Sequence, residues 1–199
     1  MREARPFILG LTGSIGMGKT ETAKLFAAQG IPVFDADAAI HDLYAGAAVE
    51  EIGREFPGTT RNGVVDRAAL SAAVTNDPAA LARLESLMHP RVAAMRDRFL
   101  QAHRDAPIVL FDIPLLLETG VAVDAVVVAS APAEVQRVRV MARPGMSEEK
   151  FAALLARQMS DAEKRAQAHY VVMTDKGLEH AREQVKMILA DIRNKICAK

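Results

Sequence analysis

The chain has 199 residues, which fits one domain or one domain with a small insertion and excludes a long multidomain array. Half of the residues are hydrophobic, which is too many for a disordered chain. The 25 Lys and Arg residues balance the 25 Asp and Glu residues, so a protein that chiefly coats DNA or RNA is disfavoured. The single cysteine, Cys197, excludes an internal disulfide framework and a zinc site built from cysteines.

The apolar runs of the chain are short. None approaches the roughly 20 residues that a membrane helix needs. The charged start, residues 1–6, is followed by an apolar stretch of only residues 7–11, which is too short for a signal peptide. We therefore expect a cytoplasmic protein that has neither a membrane nor a nucleic acid as a partner.

Short apolar runs alternate with longer amphipathic stretches along the chain. The runs are typical of buried strands, and they lie at residues 7–12, 31–34, 108–111, 125–129 and 170–173. Their continuous hydrophobicity favours strands that are covered on both faces, and intervening helices favour right-handed parallel crossovers. Helices are predicted over residues 19–29, before Gly30, and over residues 178–196. The fold class is therefore α/β, with a mostly parallel sheet.

The long interval between the second and third strands has a nearly all-helical pattern. Asp77-Pro78 predicts a helix start, because an acidic cap precedes a proline in the first helical position. His89-Pro90 is predicted to kink that helix. We interpret residues 36–106 as a helical insertion and residues 136–167 as a lid. The core of the single domain is then residues 5–35, 107–135 and 168–197.

A glycine-rich loop follows the first strand and opens the first helix. Its sequence, G-S-I-G-M-G-K-T at residues 13–20, matches the phosphate-loop pattern G-x-x-x-x-G-K-[ST]. Glycines allow the tight turn that points N–H groups at phosphate oxygens, and the helix N-terminus faces the same anion. Lys19 is predicted to reach the β- and γ-phosphates, and the Thr20 hydroxyl to bind Mg²⁺. A chance match is the alternative, but the strand–loop–helix context favours nucleoside triphosphate binding.

Acidic side chains follow the second and third strands. Because ligands of open α/β sheets lie at the carboxyl ends of the strands, Asp35 and Asp37 could face the phosphates, one as a base and one near the metal. Helix capping explains the pair equally well. Asp112 is placed like a carboxylate that binds the water shell of the metal, with a cap or turn as its alternative.

Three arginines, Arg137, Arg139 and Arg143, lie in a stretch without acidic residues. Arg139 and Arg143 are four residues apart, which predicts that they share a helix face next to the Pro-Gly break at residues 144–145. Such a pair suggests a mobile lid over a triphosphate, and unpaired surface arginines are the alternative. His89, alone on an apolar helix, is more often a structural residue than a catalyst.

Several motifs together resemble the dephospho-CoA kinase family over nearly the whole chain. The phosphate loop alone is common to many families, but the other motifs in this order are far more particular. They are L-T-G-S-I-G-M-G-K-T at 11–20, G-I-P-V-F-D-A-D at 30–37, V-D-R-A-A-L at 65–70, L-E-S-L-M-H-P at 84–90, D-I-P-L-L-L-E at 112–118 and Q-R-V-R-V-M-A-R at 136–143.

The resemblance implies a P-loop NTPase fold: a five-stranded parallel sheet flanked by helices, with a helical substrate-binding insertion and a lid. It also implies transfer of the ATP γ-phosphate to the ribose 3′-hydroxyl of dephospho-CoA, which gives CoA and ADP, with Mg²⁺ as cofactor. The expected enzyme is a monomer or weak homo-oligomer.

Site residues are carried over from the same resemblance. The catalytic set is Asp37 as general base, Lys19 and Arg139, and the implied metal ligands, direct or through water, are Thr20, Asp35 and Asp112. The implied ATP-binding residues are Gly13, Ser14, Ile15, Gly16, Met17, Gly18, Lys19, Thr20, Glu21, Arg139 and Arg143. The implied acceptor-binding residues are Asp35, Asp37, Asp66, Arg67, His89, Pro114, Leu115 and Glu118.

The chain departs from the usual family pattern at four places, which are Ser14, Glu21, His169-Tyr170 and Thr174-Asp175. The last two concern contacts on the adenine side. Two rival functions remain: another small-molecule kinase, such as a nucleoside monophosphate kinase, and a GTP-dependent switch. The switch should carry an N-K-x-D element, but Asn194-Lys195 is followed by Ile-Cys.

Overall fold

Strands alternate with helices through the described part of the chain, residues 5–198, in the computed structural model. The strands are β1 (Phe7–Thr12), β2 (Val33–Asp35), β3 (Thr60–Arg61), β4 (Val64–Val65), β5 (Ile108–Asp112), β6 (Ala125–Ser130) and β7 (Tyr170–Met173). The helices are α1 (Lys19–Ala27), α2 (Ala36–Tyr44), α3 (Val49–Glu55), α4 (Arg67–Val74), α5 (Pro78–Ala102), α6 (Leu116–Thr119), α7 (Ala133–Met141), α8 (Glu148–Leu155), α9 (Asp161–Ala166) and α10 (Gly177–Cys197).

Two compact units divide the chain. The second unit is Asp35–Ala102, and the first unit consists of the described residues before and after it. The division falls at the carboxyl end of β2 and shortly before β5. Among residues 5–198, no helix combines the length and the apolar character that crossing a membrane requires.

A five-stranded sheet with the order β2-β5-β1-β6-β7 forms the centre of the first unit. β1 pairs in parallel with β5 and β6, and β6 pairs in parallel with β7. β5 and β6 are buried along their whole length, as expected for strands covered on both faces. The predicted five-stranded parallel sheet flanked by helices is therefore confirmed.

Helices α1 and α10 provide apolar side chains for one core of this unit. Phe26 of α1 is fully buried there. The buried residues of α10 recur at helical spacing and form one apolar stripe; they are Ala181, Val185, Ile188, Leu189 and Ile192. This stripe packs into the same core as Leu9, Leu110 and Val127 of the central strands.

The second unit is helical apart from one hairpin. α2 and α4 both pack on α5, and the buried residues of these helices share a core with Ile52 and Phe56. β3 and β4 pair antiparallel around Asn62 and Gly63, both of which have positive φ. The prediction of a nearly all-helical interval is therefore confirmed, and the short hairpin at the Asn-Gly turn is the part of the interval that the sequence analysis did not predict.

Some predicted boundaries differ from the observed ones. The second strand begins at Val33 rather than Ile31, and α1 ends at Ala27 rather than Gln29. The predicted start at Pro78 is confirmed, since Asp77 accepts hydrogen bonds from two N–H groups of the first turn at 2.9 and 3.0 Å. α5 continues past Pro90 to Ala102, so the proline does not end the helix.

Candidate active site

The loop between β1 and α1 has the backbone that its glycines predict. Gly16 and Gly18 have φ values of 78° and 88°, in the left-handed region that other residues rarely adopt. A Cβ atom on Gly16 would lie 2.5 Å from a methyl of Val140 and 3.1 Å from the Gln136 carbonyl oxygen. The loop therefore requires glycine at this position both for its conformation and for the approach of α7.

The N-terminus of α1 is suited to an anion. Gly18 is its N-cap, and among the described residues no side chain caps this helix. The first N–H groups of a helix have no partners within the helix, and its dipole is positive at that end. This combination after a glycine-rich turn is a phosphate-binding arrangement.

Lys19 and Asp112 form a buried ion pair beside this loop. Lys19 Nζ lies 2.7 Å from Asp112 Oδ1, and the two side chains are only 14% and 5% exposed. The parallel register pairs Leu11 with Asp112, so the carboxylate lies at the end of β5 next to the end of β1. The lysine that is predicted to contact phosphates therefore already has a carboxylate partner.

The residues predicted to bind Mg²⁺ in this unit offer suitable atoms. Thr20 has a hydroxyl oxygen and Asp112 has carboxylate oxygens, and oxygen is the ligand that Mg²⁺ prefers. Protein sites usually hold Mg²⁺ by one or two side chains together with substrate phosphates. Thr20 and Asp112 fit that requirement.

Arg139 joins α7 to the turn after β7. Its guanidinium donates hydrogen bonds to the Thr174 hydroxyl at 2.8 Å and to the Thr174 carbonyl at 2.6 Å. The Thr174 hydroxyl donates in turn to the Met17 carbonyl of the phosphate loop at 2.8 Å. Arg139 is therefore held against the loop, through the Thr174 turn that departs from the family pattern.

Arg143 lies outside α7, whereas Arg139 lies within it. α7 ends at Met141, and Arg143 is exposed beyond the end of the helix. The prediction that the two arginines share a helix face is wrong, because the helix stops before the spacing of four residues is complete. Arg137 forms an ion pair with Glu148 at the start of α8.

Two glutamines contact the phosphate loop and were missed from the sequence. Gln136 Nε2 donates to the Ile15 carbonyl at 2.8 Å, and the Ile15 N–H donates to Gln158 Oε1 at 3.1 Å. The Ser14 hydroxyl also donates to the Met159 carbonyl at 3.3 Å. The backbone of the loop is thus held from α7 and from residues 158–159.

A buried lysine, Lys164 of α9, was also missed. Its side chain is 0% exposed, and Nζ lies 2.7 and 3.0 Å from the two carboxylate oxygens of Glu118. It also donates to the Pro114 carbonyl at 3.3 Å and to the Thr12 hydroxyl at 3.5 Å. A lysine within a run of charged residues normally indicates a solvent-exposed helix face, so the sequence carried no signal for its burial.

Glu118 is held by this lysine and by the main chain. Burial raises the pKa of the Glu118 carboxyl. Hydrogen bonds from Lys164 and from the Met159 N–H lower the pKa by more than burial raises it, so the pKa lies below its ordinary value. The Met159 N–H donates to Oε1 at 2.9 Å. Of the neighbouring predicted acceptor residues, Pro114 is half-buried and Leu115 is 38% exposed.

Five of the predicted site residues belong to the second unit. Asp35 is the N-cap of α2, where Oδ1 accepts from the N–H groups of Asp37 and Ala38 at 2.9 and 3.0 Å. The capping interpretation of Asp35 is therefore confirmed. Asp37 is exposed in the first turn of α2, and His89 is exposed on α5.

Asp66 caps α4 in the same way. Its Oδ1 accepts from the N–H groups of Ala68 and Ala69, and its Oδ2 lies 3.3 Å from Arg61 Nε. Arg67 is exposed at the first position of that helix.

Comparisons with known proteins agree with this arrangement. The family model for dephospho-CoA kinase matches residues 7–180. The chain belongs to the dephospho-CoA kinase family. It is 56% identical over 190 residues to a dephospho-CoA kinase of Mesorhizobium japonicum, a match that covers 94% of this chain and 96% of the relative. A dephospho-CoA kinase of Bradyrhizobium diazoefficiens is likewise 56% identical over 189 residues, with 93% and 95% covered.

Solved structures support the same fold. A crystal structure from Thermus thermophilus is 37% identical and superimposes with a TM-score of 0.84, covering 94% of this chain and 98% of that chain. A shikimate kinase of Acinetobacter baumannii, 22% identical with a TM-score of 0.50, covers 97% of this chain and 96% of its own and shares the fold. The family resemblance and the P-loop kinase fold predicted from the sequence are both confirmed.

Proposed function

We propose that this chain transfers the γ-phosphate of ATP to the ribose 3′-hydroxyl of dephospho-CoA and releases CoA and ADP. The observation that carries the proposal is the family match over residues 7–180. It is supported by a phosphate loop in which Gly16 and Gly18 have positive φ and a helix begins at Lys19. Phosphoryl transfer needs little covalent chemistry from the protein and depends on positioning and charge stabilisation.

The first unit holds the triphosphate in this proposal. The N–H groups of the loop and of α1 donate to phosphate oxygens, and Lys19 exchanges its Asp112 partner for the β- and γ-phosphates. Arg139, which the Thr174 turn holds beside the loop, adds positive charge where negative charge develops on the transferred group.

Mg²⁺, when bound, neutralises phosphate charge and makes the γ-phosphoryl group a better electrophile. The proposed ligands, direct or through water, are Thr20, Asp35 and Asp112. Asp35 would have to combine this role with its cap on α2. Glu21 and Arg143 are proposed to contact ATP at the exposed margin of its site.

The proposed general base is a carboxylate of α2. Asp37 is proposed to accept the proton of the attacking hydroxyl, since a carboxylate within hydrogen-bond reach of that proton is sufficient for general base catalysis. The cap from Asp35 to the Asp37 N–H fixes the backbone that carries this carboxylate. The proposed acceptor-binding residues are Asp35, Asp37, Asp66, Arg67, His89, Pro114, Leu115 and Glu118.

A coupled assay of ADP release tests the proposal. The purified protein is supplied with Mg²⁺ and ATP and with dephospho-CoA, AMP, CMP or shikimate as separate acceptors, and CoA is identified by mass spectrometry. We expect turnover with dephospho-CoA alone. Turnover with one of the other acceptors and none with dephospho-CoA would overturn the proposed function. The cytoplasmic location and the monomeric or weakly oligomeric state stay predictions.

A further inference from the structure

The segment 158–164 contacts two loops of the first unit at once. Its beginning binds the phosphate loop, through Gln158 to Ile15 and through Met159 to Ser14. The Met159 N–H and Lys164 then bind Glu118, which follows β5. The same short segment therefore touches both the loop that is proposed to hold ATP and the loop that is proposed to contact the acceptor.

Lys164 is at the centre of these contacts. Its ammonium reaches Glu118, the Pro114 carbonyl and the Thr12 hydroxyl, and that hydroxyl itself donates to the Pro114 carbonyl at 2.8 Å. Thr12 directly precedes the phosphate loop, and Pro114 lies two residues after Asp112, the partner of Lys19. One buried cation thus joins the ends of β1 and β5 to α9.

Burying this ammonium is a costly way to gain stability alone. Two charges that are removed from water lose their solvation, and the attraction between them often does no more than offset that loss. Apolar side chains of similar size would often stabilise the fold as well or better. An ammonium does differ from an apolar group in one respect, because its three donors fix the oxygens of several segments in one geometry.

We propose that Lys164 is a positioning residue for phosphoryl transfer, acting through Glu118, Pro114 and Thr12 to hold the phosphate loop and the loop after β5 in register. This inference rests on the proposed function. Lys164 contacts neither the phosphate-loop glycines nor Lys19 in the contacts described above, so its effect on the reaction is indirect. Misplacing reacting groups by about 1 Å can slow an enzyme roughly 100-fold even when the mutation is far from the chemistry.

The test compares Lys164→Met with a control at a more exposed ion pair, Lys195→Met. Lys195 also forms an ion pair, 2.6 Å from Asp191, and contacts Tyr170 at the amino end of β7, the opposite end of the parallel strands from the phosphate loop. Folding is checked by circular dichroism, kcat and KM are measured with ATP and dephospho-CoA, and the Kd of an ATP analogue is measured by calorimetry.

For Lys164→Met we expect kcat to fall between about 10-fold and 100-fold while the Kd of the ATP analogue changes less than about threefold. For Lys195→Met, kcat and the Kd of the ATP analogue should both stay within about twofold of the values of the unaltered enzyme. A folded Lys164→Met variant with unaltered kcat overturns the inference. A fall in kcat that matches an equal fall in the number of ATP-analogue sites per chain in calorimetry overturns it as well, because a smaller folded fraction lowers both and leaves the Kd unaltered.

A second variant covers the case in which Lys164→Met does not fold. Lys164→Gln with Glu118→Gln replaces the ion pair by two neutral amides that can still hydrogen-bond, so no buried charge is left without a partner. We expect this enzyme to fold and to stay slow with nearly unaltered ATP affinity; normal kcat would overturn the inference. If the unaltered enzyme itself shows no turnover with dephospho-CoA, the proposed function fails first.

Discussion

Replacing Asp112 by Asn should make the protein bind magnesium-free ATP more tightly. Asp112 is the partner of Lys19 at 2.7 Å, and both side chains are nearly buried. A triphosphate has to displace this carboxylate from the lysine, so the ion pair competes with ATP. Asp112→Asn removes the competing carboxylate charge, and the Lys19 ammonium then lacks the negative charge of its Asp112 partner.

The size of the effect follows from the general cost of breaking a buried ion pair, adjusted for the exposure of Lys19. Removing one partner of a buried ion pair typically costs about 3–5 kcal/mol. The new carboxamide can still accept one hydrogen bond and Lys19 is 14% exposed, so we expect a loss of about 2 kcal/mol in the nucleotide-free protein. A phosphate group that becomes the partner of Lys19 can recover this loss, which corresponds to an affinity gain of up to about 30-fold.

Calorimetry in EDTA measures the Kd of ATP for both proteins, and thermal unfolding with and without ATP gives an independent measure. The rise in melting temperature on adding ATP should be larger for Asp112→Asn than for the unaltered chain. With Mg²⁺ present kcat should fall, because a proposed metal ligand is lost. If the Kd in EDTA stays within twofold or weakens, Lys19 and Asp112 do not compete with phosphate as reasoned here.

Three further substitutions test other parts of the site. Asp37→Asn should lower kcat by about 100-fold or more while ATP still binds, since a base acts mainly in the transition state; near-normal turnover would remove Asp37 from that role. Lys19→Ala should weaken both ATP binding in calorimetry and turnover, and an unaltered rate would contradict the phosphate-loop assignment. Glu118→Gln tests the pH dependence of stability. Because the pKa of Glu118 is lowered in the folded state, its stabilising effect is present above its ordinary value of 4.5 and is lost as the pH falls through the folded pKa. The difference in unfolding free energy between the two proteins should therefore be constant from pH 6 to 8 and shrink below about pH 4.5; a difference that is independent of pH would refute the pairing with Lys164.

Much of the fold could be predicted because its signals are local. Continuous apolar runs marked the five strands of the sheet, and the Asp77-Pro78 cap marked the start of α5. The hairpin at Asn62-Gly63 was missed although its turn signal was also local, because its strands are only two residues long. The shared helix face of Arg139 and Arg143 failed because the end of α7 lies between them.

The phosphate loop is the part of the site that the sequence by itself determined. Its conformation depends on glycines that tolerate a positive φ and on a helix that begins at once, and both properties are written within eight consecutive residues. The family resemblance of the whole chain likewise follows from motifs whose order is visible in the sequence.

Only the tertiary structure decided which side chains hold that loop in place. Lys164 meets Glu118 across 46 residues of chain, and Ile15 meets Gln158 across 143. A lysine or a glutamine in a polar stretch has the same local pattern whether it faces solvent or a buried partner. Its burial is fixed by how β1, β5 and α9 pack together, and no spacing within a single sequence encodes that packing.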